Sequence, residues 1–456
     1  MASTRVYYTQ VTPTDNNTWT FSCWFKRGTL GGKQVLCSAY VDGANTTELS
    51  LTATGAIEYY DWQSSAYKGR LSTNRLCRDT GAWYHVVFVW DSDNGTPGDR
   101  MKLYINGVEE TSFAADSNPS SGQATILNTS GKVCEIGSQN SSGYFSGEMS
   151  HVQFVDGLAL APTEFGEVDS TSGIWTIKTS AYATPGNNGF FLKMEDRTNL
   201  DLDSSSNAFT FTTGGTLTAT YDNPNNNFAT LNPIARNVAD TGSLTNGNTT
   251  YTLSSYVYNG RSTLPMPAGK WYWEIKQGQI GTRVGVTTAN SNNNADTDGS
   301  SFFWGDAGNG GIHILKSNNT ANWVRTNNDT SQSLDTPTGN GIASATDDII
   351  IMALDVDNQK LWVGVNGVWG NSGDPAGGTG EVMTMTNSSP DPYAAFIGFD
   401  ATSSGDTAKL NFGNGYFGTD AVASANADDA GIGAFEYDVP TGFYALCTKN
   451  LKLQGG

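Results

Sequence analysis

The sequence is poor in charged residues, and above all in positive charge. Only 15% of its 456 residues are charged, and 25 Lys and Arg stand against 44 Asp and Glu, which gives a formal net charge of −19. A protein that binds nucleic acid needs a basic surface that neutralises phosphates and releases their counterions. The composition offers no such surface, so we predict no nucleic-acid partner.

Long apolar segments are also missing. No stretch approaches the roughly 20 apolar residues that a membrane-spanning helix requires, so we predict no membrane insertion. The first ten residues, MASTRVYYTQ, have no basic start followed by an apolar core, and no secretory signal is therefore expected. No heptad repeats appear, which argues against a coiled-coil shaft.

Cysteine and histidine are few and scattered. The five cysteines are odd in number, lack Cys-x-x-Cys spacing, and are Cys23, Cys37, Cys77, Cys134 and Cys447. The three histidines, His85, His151 and His313, are isolated from one another. A metal or redox site is one interpretation of such residues, but buried thiols and packed imidazoles are the simpler one. They predict no cofactor.

Turn-forming residues are abundant instead. The chain has 53 Gly and many Asn, Ser and Thr, a composition typical of short strands joined by turns. We therefore predict an all-β protein. Strands are expected within the segments 5–27, 33–40, 47–53, 56–63, 134–160, 189–196, 269–276, 282–289 and 409–413.

The clearest predicted element is a β-hairpin at 83–108, WYHVVFVWDSDNGTPGDRMKLYINGV. The nearly unbroken apolar run from Trp83 to Trp90 indicates a strand that is covered on both faces. Apolar and polar residues alternate from Met101 to Ile105, which indicates a second strand. Asn106-Gly107 then supplies the positive φ angles of a type I′ turn.

A shorter copy of this hairpin recurs at 349–368, IIIMALDVDNQKLWVGVNGV. Both copies contain an apolar strand, Asp-x-Asp-Asn, Lys-Leu-aromatic-β-branched and finally Asn-Gly-Val. Two copies predict two domains of related architecture, each an antiparallel β-sandwich.

The predicted boundary lies in an Asn- and Pro-rich stretch, TATYDNPNNNFATLNPIARN. We assign a first sandwich to 1–215, a linker to 216–236 and a second sandwich to 237–456. A further Ala/Asp/Gly-rich stretch, 417–435, is predicted to be a long surface loop before the last strand.

The order of these motifs resembles a known family. WYHVVFVWD, KLYINGV and IGS…YFSGEMSHVQFVDGLALAPTEFGE look like the laminin-G-like, concanavalin A-like lectin/glucanase sandwich. Continued through NNGFFLKMED to NNFATLNP, the run resembles lectin-like proteins of tailed bacteriophages, particularly marine ones, in which the sandwich precedes a SPRY-like domain. GKWYWEIK, TRVGVTTA, KLNFG and the closing VPTGFYALCTKNL, expected to be a strand, fit the second domain.

The resemblance implies a concanavalin A-like jelly roll followed by a SPRY-like sandwich in a non-enzymatic protein of the virion surface. Such a protein assembles in the host cytoplasm without an export signal. Its expected partners are other virion proteins, further copies of itself on the particle, and a host-surface glycan. The leading hypothesis is a tail-associated fibre or adhesin, and the alternative is a capsid decoration or head-fibre protein.

A glycoside hydrolase of the concanavalin A-like class is the second alternative. It needs two carboxylates that face one cleft. The retaining-family signature Glu-x-Asp-x-x-Glu is absent, and Glu436-Tyr437-Asp438 is the nearest fragment. Glu164, Glu167 and Asp169 are clustered, but in a predicted loop. We therefore predict no catalytic residues.

Asp91, Asp93, Asn94 and Asp99 follow a strand and could hold calcium through oxygen ligands. The same Asp-x-Asp-Asn recurs in a tight turn of the second copy, where Asp and Asn simply cap the hairpin. Calcium remains possible at Asp91, Asp93 and Asp99, and no other cofactor is predicted.

Carbohydrate binding needs an aromatic platform together with polar groups. In the first domain the candidates are Tyr60 and Trp62, beside Tyr59 and Asp61 near a strand end, and Tyr144 on a loop. In the second domain they are Trp304, Asp306, Trp323 and Trp369. For each tryptophan taken alone, a place in a sandwich core is the simpler interpretation.

Overall fold

The computed structural model forms two compact units, Met1–Ala219 and Thr220–Gly456. It describes residues 3–170, 172–236, 242–254, 259–278, 282–288, 312–316, 323–327, 330–333, 345–385, 391–399 and 405–454. Between 312 and 333 only the backbone of the strands is described. Within the described ranges, no helix has the length and apolar character needed to cross a membrane.

The first unit contains sixteen β-strands in chain order. They are β1 Arg5–Thr9, β2 Thr18–Arg27, β3 Gln34–Asp42, β4 Asn45–Leu51, β5 Ala56–Gln63, β6 Ala66–Leu76, β7 Trp83–Asp91, β8 Met101–Ile105, β9 Val108–Glu109, β10 Phe113–Ser117, β11 Val133–Ile136, β12 Gly147–Asp156, β13 Gly166–Val168, β14 Trp175–Ile177, β15 Phe190–Leu192 and β16 Thr212–Gly214.

Two antiparallel sheets enclose the core of this unit. The first sheet has the order β10-β6-β5-β4-β3-β11-β1-β16, and the second has the order β15-β12-β2-β7-β8-β9. Strand β2 directs Trp19, Phe21 and Phe25 into the core between them. Alternating side chains of this kind are what a sandwich strand requires.

Strand β7 is buried on both faces, as its unbroken apolar run predicts. Val86, Phe88 and Trp90 enter the core between the sheets. Val87 and Val89 point the other way and pack against Phe165, which lies in the segment that covers this outer face. The same covering segment contains the hairpin of β13 and β14.

The Asn-Gly turn follows β8 and has the predicted geometry. Asn106 and Gly107 have φ angles of 51° and 78°, as a type I′ turn requires. Asn106 also exchanges hydrogen bonds with the backbone of His85: the His85 N–H donates to Asn106 Oδ1 at 2.8 Å. The Asn106 N–H donates to the His85 carbonyl at 2.8 Å. The asparagine thus ties the turn to β7.

The second unit contains the remaining strands. They are β17 Leu231–Arg236, β18 Ser243–Thr245, β19 Thr250–Thr252, β20 Asn259–Ser262, β21 Lys270–Gln277, β22 Thr282–Thr288, β23 Ile312–Lys316, β24 Trp323–Asn327, β25 Thr330–Ser333, β26 Ile349–Asp355, β27 Lys360–Val365, β28 Val368–Trp369, β29 Met383–Thr384, β30 Tyr393–Phe399, β31 Thr407–Asn411, β32 Tyr416–Phe417, β33 Asp420–Ala421 and β34 Tyr444–Ala445.

These strands form a second sandwich. One sheet has the order β17-β20-β30-β22-β23-β24-β25, and the other has the order β18-β19-β31-β21-β26-β27-β28. Side chains of both sheets, among them Trp273, Met352 and Ile397, share one core. The predicted all-β architecture of two antiparallel sandwiches is therefore confirmed.

The second copy of the hairpin reproduces the first in detail. Asn366 and Gly367 have φ angles of 48° and 80°. The Ile349 N–H donates to Asn366 Oδ1 at 2.9 Å, as the His85 N–H does to Asn106. The Asp-x-Asp-Asn segment forms a turn in which the Asn358 N–H donates to Asp355 Oδ1 at 2.9 Å. The capping interpretation of this motif holds in the second unit.

Most of the predicted linker 216–236 lies inside the second unit. Phe228 is buried against the cluster that includes Tyr272, and Leu231 begins strand β17. The Ala229 N–H donates to the Leu446 carbonyl at 2.9 Å. Asparagines and prolines in this segment therefore shape turns that pack, and the division between the units falls after Ala219.

The closing segment differs from the predicted strand. Tyr444–Ala445 pairs in parallel with β21, Cys447 forms a single antiparallel bridge with Phe228, and the chain then enters helix α1, Thr448–Gln454. The predicted surface loop 417–435 also packs at both ends, because Phe417 and Phe435 are buried. Asp428, inside that loop, accepts hydrogen bonds from the Ala445 N–H and from Asn450 Nδ2. The composition of the loop does not predict such hydrogen bonds between its interior and the closing segment.

Candidate functional site

Strand β5 separates the aromatic candidates of the first unit onto two faces. Tyr60 and Trp62 point to the outer face of the first sheet, where both are half-buried. Tyr59 points inward and stacks on Phe88, with ring centroids 3.9 Å apart. Asp61 also points inward and accepts a hydrogen bond from Thr47 Oγ1 at 2.5 Å. Tyr59 and Asp61 are therefore structural residues.

Tyr67, which was not among the predicted candidates, completes an aromatic cluster on this outer face. The ring of Tyr67 meets Trp62 edge-on at 4.7 Å and Tyr60 edge-on at 6.0 Å. Tyr67 is 48% exposed, which leaves one side of the cluster open to solvent. A register shift between β5 and β6 at Asp61/Trp62 places Tyr67 opposite Trp62. The alternation within β6 could have suggested this strand.

A row of polar side chains continues from the aromatic cluster across the sheet. Tyr60 lies opposite Glu48, Glu48 opposite Ser38, and Ser38 opposite Glu135. Because directly paired residues project from the same face of a sheet, these side chains are neighbours. The outer face of β5, β4 and β3 thus joins an aromatic surface to a polar one.

Three ion pairs lie on this face. They join Lys33 Nζ to Glu48 at 2.7 Å, Arg70 Nη2 to Glu58 at 2.7 Å, and Arg5 Nη1 to Glu135 at 2.9 Å. Two of the cations also lie over tyrosine rings, Arg5 over Tyr7 at 4.7 Å and Arg70 over Tyr67 at 4.8 Å. Cations and aromatic rings therefore share the surface.

Glu48 is the most buried of the three acids. Its Oε2 accepts hydrogen bonds from Lys33 and, at 3.2 Å, from the Tyr60 hydroxyl. Its Oε1 is buried and has no hydrogen-bond partner. Burial and the neighbouring Glu48 raise the pKa of Tyr60, so its hydroxyl stays protonated and donates.

The loop after β11 borders this site. Gln139 Nε2 donates to Thr46 Oγ1 at 2.9 Å and to the Tyr60 hydroxyl at 3.4 Å. Gly143 follows in the same loop, and its carbonyl accepts from the Val35 N–H at 2.9 Å. Tyr144 is half-buried next to it. The structure thus places the loop with Tyr144 beside the face that carries Tyr60 and Trp62.

The second-unit candidates do not form such a surface in the described residues. Trp304 and Asp306 lie outside the described residues. The backbone of Trp323 begins β24, and its side chain is likewise outside the description. Trp369 is half-buried and meets Tyr272 edge-on at 6.3 Å, within the apolar cluster over the outer face of β21 and β26. Trp369 therefore packs as part of a core.

The three calcium candidates each have a different hydrogen-bond or ion-pair partner. Asp91 accepts from Asn94 Nδ2 at 3.3 Å in its turn, and Asp99 pairs with Lys102 Nζ at 3.2 Å. Asp93 accepts from Asn17 Nδ2 at 3.4 Å. Over the described ranges, no three His, Cys, Asp or Glu side chains come together in a geometry for a metal.

His85 contacts a serine, as the histidine of a catalytic dyad does. Its Nε2 lies 2.8 Å from Ser22 Oγ, and Trp175 Nε1 donates to its Nδ1 at 2.9 Å. An indole N–H can only donate, so Nδ1 accepts and the imidazole proton is on Nε2. His85 therefore donates to Ser22 and cannot take its proton. Burial lowers the pKa of His85 to about 3, which keeps the ring neutral.

The carboxylates considered for a glycosidase lie in turns or accept hydrogen bonds from backbone N–H groups. Glu164 is exposed at the end of a 3-10 turn at 162–164. Glu436 accepts a hydrogen bond from the Ala423 N–H at 2.7 Å. Glu274, a buried carboxyl, was not predicted: burial raises its pKa to about 7. It accepts from the Glu436 and Tyr437 N–H groups at 3.0 and 2.9 Å and so holds the covering segment of the second unit.

Comparison with known proteins finds a family match within the first unit. Residues 2–164 match the family described as the concanavalin A-like lectin/glucanases superfamily, Laminin_G_3. A search of curated protein sequences finds none that matches the chain.

Several solved structures are similar to parts of the chain at low sequence identity. The SPRY domain of human HERC1 is similar over 40% of this chain and 96% of that domain, at 16% identity and a TM-score of 0.29. SAP-like pentraxin from Limulus polyphemus is similar over 36% of this chain and 74% of that chain, at 21% identity and a TM-score of 0.27. Domain 4 of AbnA, a GH43 extracellular arabinanase from Geobacillus stearothermophilus, solved with arabinotriose, is similar over 33% of this chain and 66% of that chain, at 19% identity and a TM-score of 0.26.

Proposed function

Because residues 2–164 match the concanavalin A-like lectin/glucanases superfamily, we propose that the chain is a non-catalytic carbohydrate-binding protein. The binding surface in this proposal is the outer face of β5 and β6. One observation carries it: Tyr67 is 48% exposed and is held edge-on by Trp62 and Tyr60. An aromatic cluster whose rings pack on one another and stay open to solvent is a suitable platform for a ligand.

The chemistry of the face suits a sugar. A pyranose ring presents C–H groups on its faces, which pack on aromatic rings, and hydroxyls around its edge, which need hydrogen bonds. Beside the aromatic cluster lie the Tyr60 hydroxyl, the Gln139 amide and the Arg70 guanidinium. These groups supply donors and acceptors within reach of the rings, which is the usual composition of a ligand site.

The aromatic contact is tested by substitution. We expect Trp62→Ala and Tyr67→Ala to raise the Kd for a bound polysaccharide at least about tenfold, which corresponds to about 1.4 kcal/mol. Val168→Ser is the matched control, because Val168 is 61% exposed on the covering hairpin of the other sheet. Binding is measured by glycan array and isothermal titration, with melting temperatures in parallel. Equal binding by all three variants would reject this face as the site.

The non-catalytic part of the proposal has its own test. Algal and bacterial polysaccharides incubated with the protein should keep their chain lengths, measured by size-exclusion chromatography. Reproducible cleavage that is lost in Glu164→Gln or Glu436→Gln would favour the glycoside hydrolase instead.

Display on a phage particle is the finer part of the proposal. Its support is the order of motifs from the first hairpin to residue 233, which resembles marine-phage lectin-like proteins. A tail-associated fibre or adhesin is the leading placement, with host-surface glycan as ligand, and capsid decoration is the alternative. Repeated copies on one particle would strengthen weak sugar contacts through avidity.

Labelled antibody on intact virions, viewed by electron microscopy, tests the placement. Label at the tail supports the fibre, and label over the whole capsid supports the decoration protein. Label on neither structure would remove the virion from the proposal and leave carbohydrate binding to be judged on its own test.

A further inference from the structure

The centre of the outer face holds a carboxylate whose hydrogen bonding is incomplete. Glu48 has 0% of its side chain exposed, and its Oε1 has no partner. A buried carboxylate oxygen without a donor is costly, because it has lost water and gained nothing in exchange. Glu48 Oε1 can therefore accept a hydrogen bond from one further donor.

The cation that neutralises Glu48 is the most replaceable on this face. Lys33 reaches Glu48 from the solvent side, since its side chain is 44% exposed while that of Glu48 is 0% exposed. Arg70, in contrast, donates twice to Glu58, through Nε at 2.9 Å and Nη2 at 2.7 Å, and also lies over Tyr67. A lysine ammonium on a flexible stem is held less firmly than a planar guanidinium with two donors.

We propose that Glu48 receives a primary ammonium group of the bound glycan, which displaces Lys33 and supplies the missing donor to Oε1. The inference rests on the proposed function, and it names the ligand class as a glycan with free amino groups, such as a polymer of glucosamine. An ammonium carries three N–H donors, so it can contact both oxygens of the carboxylate.

Two further observations favour a cationic ligand over an anionic one. The aromatic cluster already accommodates a cation, because the Arg70 guanidinium lies 4.8 Å from the Tyr67 ring centroid. The whole chain has a formal net charge of −19, which attracts cations and repels carboxylated or sulfated glycans. A sulfated polymer would also meet the acidic side chains of Glu48 and Glu58 on this face.

The test compares two oligosaccharides that differ only in their amino groups. The glucosamine tetramer and the N-acetylglucosamine tetramer are titrated calorimetrically at mildly acidic pH, where free amines are protonated. We expect the wild-type protein to bind the free-amine tetramer at least tenfold more tightly. Glu48→Gln should abolish that preference, and Lys33→Met should increase it, because the internal competitor is gone. Glu109→Gln is the matched control, because Glu109 pairs with Lys102 on the other sheet, and it should retain the preference.

The melting temperature of each variant is measured alongside, because Lys33→Met leaves Glu48 without its cation. If that variant fails to fold, the salt dependence of wild-type binding replaces it: affinity for the free-amine tetramer should fall as salt rises, while affinity for the acetylated tetramer stays constant. Equal binding of the two tetramers, tighter binding of the acetylated one, or an undiminished preference in Glu48→Gln would each overturn the inference. Binding of neither tetramer would overturn it as well. If Trp62→Ala still weakens polysaccharide binding in those cases, the proposed function stands without it.

Discussion

Replacing Gly107 by alanine should destabilise the first unit through one identifiable contact. Gly107 has a φ of +78°, and a Cβ built there would lie 2.6 Å from Trp175 Cε3. The indole must therefore move, and with it the hydrogen bond that Trp175 donates to the buried Nδ1 of His85 at 2.9 Å. The turn glycine is thus required both for its backbone conformation and for the close approach of the covering hairpin.

The expected magnitude follows from these two effects. An alanine in the left-handed region costs about 1–2 kcal/mol, of which about 0.4–1 kcal/mol is returned by the lower entropy of the unfolded chain. An unsatisfied buried acceptor on His85 costs about 1–3 kcal/mol more. We therefore expect Gly107→Ala to lower the free energy of unfolding of the first unit by about 3 kcal/mol.

The chain offers a matched control for the backbone cost. Gly131 has a φ of +74° in the same unit, and no atom lies within 4 Å of a Cβ built on it. Gly131→Ala should therefore cost only about 1 kcal/mol. Both variants are measured by urea denaturation of the full chain, followed by circular dichroism.

A double-mutant cycle isolates the ring contact. In a Trp175→Ala background, Gly107→Ala should cost no more than Gly131→Ala does, because there is no indole to displace. Equal costs for Gly107→Ala and Gly131→Ala in the wild-type background would refute the reasoning.

Three further outcomes are expected. Gly367→Ala should behave as Gly107→Ala does, because a Cβ on Gly367 would lie 2.7 Å from Tyr437 Cδ1, and urea denaturation should show a loss larger than that of Gly131→Ala. Burial lowers the pKa of His85 from 6.5 to about 3, so the unfolded chain takes up a proton at a higher pH than the folded chain does, and the free energy of unfolding should fall by up to about 4–5 kcal/mol as pH drops from 6.5 to 3. His85→Asn keeps an acceptor for Trp175 and should lose this pH dependence. An unchanged pH profile of the melting temperature in that variant would contradict the prediction. The raised pKa of Glu274, about 7 against 4.5, has the opposite sign, so its contribution is present below pH 4.5 and falls by about 3 kcal/mol as pH rises to 7; a Glu274→Gln variant that still shows this fall would count against that assignment.

The two hairpins have a common design that explains the repeated sequence. In each unit the Asn side chain binds the first strand through its backbone, and the Gly leaves space for an aromatic ring of a covering segment. In the first unit that ring is Trp175, and in the second it is Tyr437. Asn-Gly thus recurs in both copies because it forms the turn and also leaves space for the covering segment to pack.

The sequence by itself determined the class of fold and the duplicated hairpin. Strand periodicity and Asn-Gly turns are local signals, because they depend on residues one to four positions apart. For the same reason strand β5 was predicted at 56–63, as the structure has it. The apolar run of β7 also predicted that both faces of this strand are covered, but it did not predict which segment covers the outer face.

The tertiary structure decided everything that depends on which strands are neighbours. Tyr67 faces Trp62 only because of the register shift between β5 and β6, and Glu48 meets Lys33 and Tyr60 only through pairing of three strands. Trp369, in contrast, became part of a core because the chain after β31 folds over it. Pairing partners, registers and covering segments are set by the sum of contacts between residues far apart in the chain, and no local pattern carries that information.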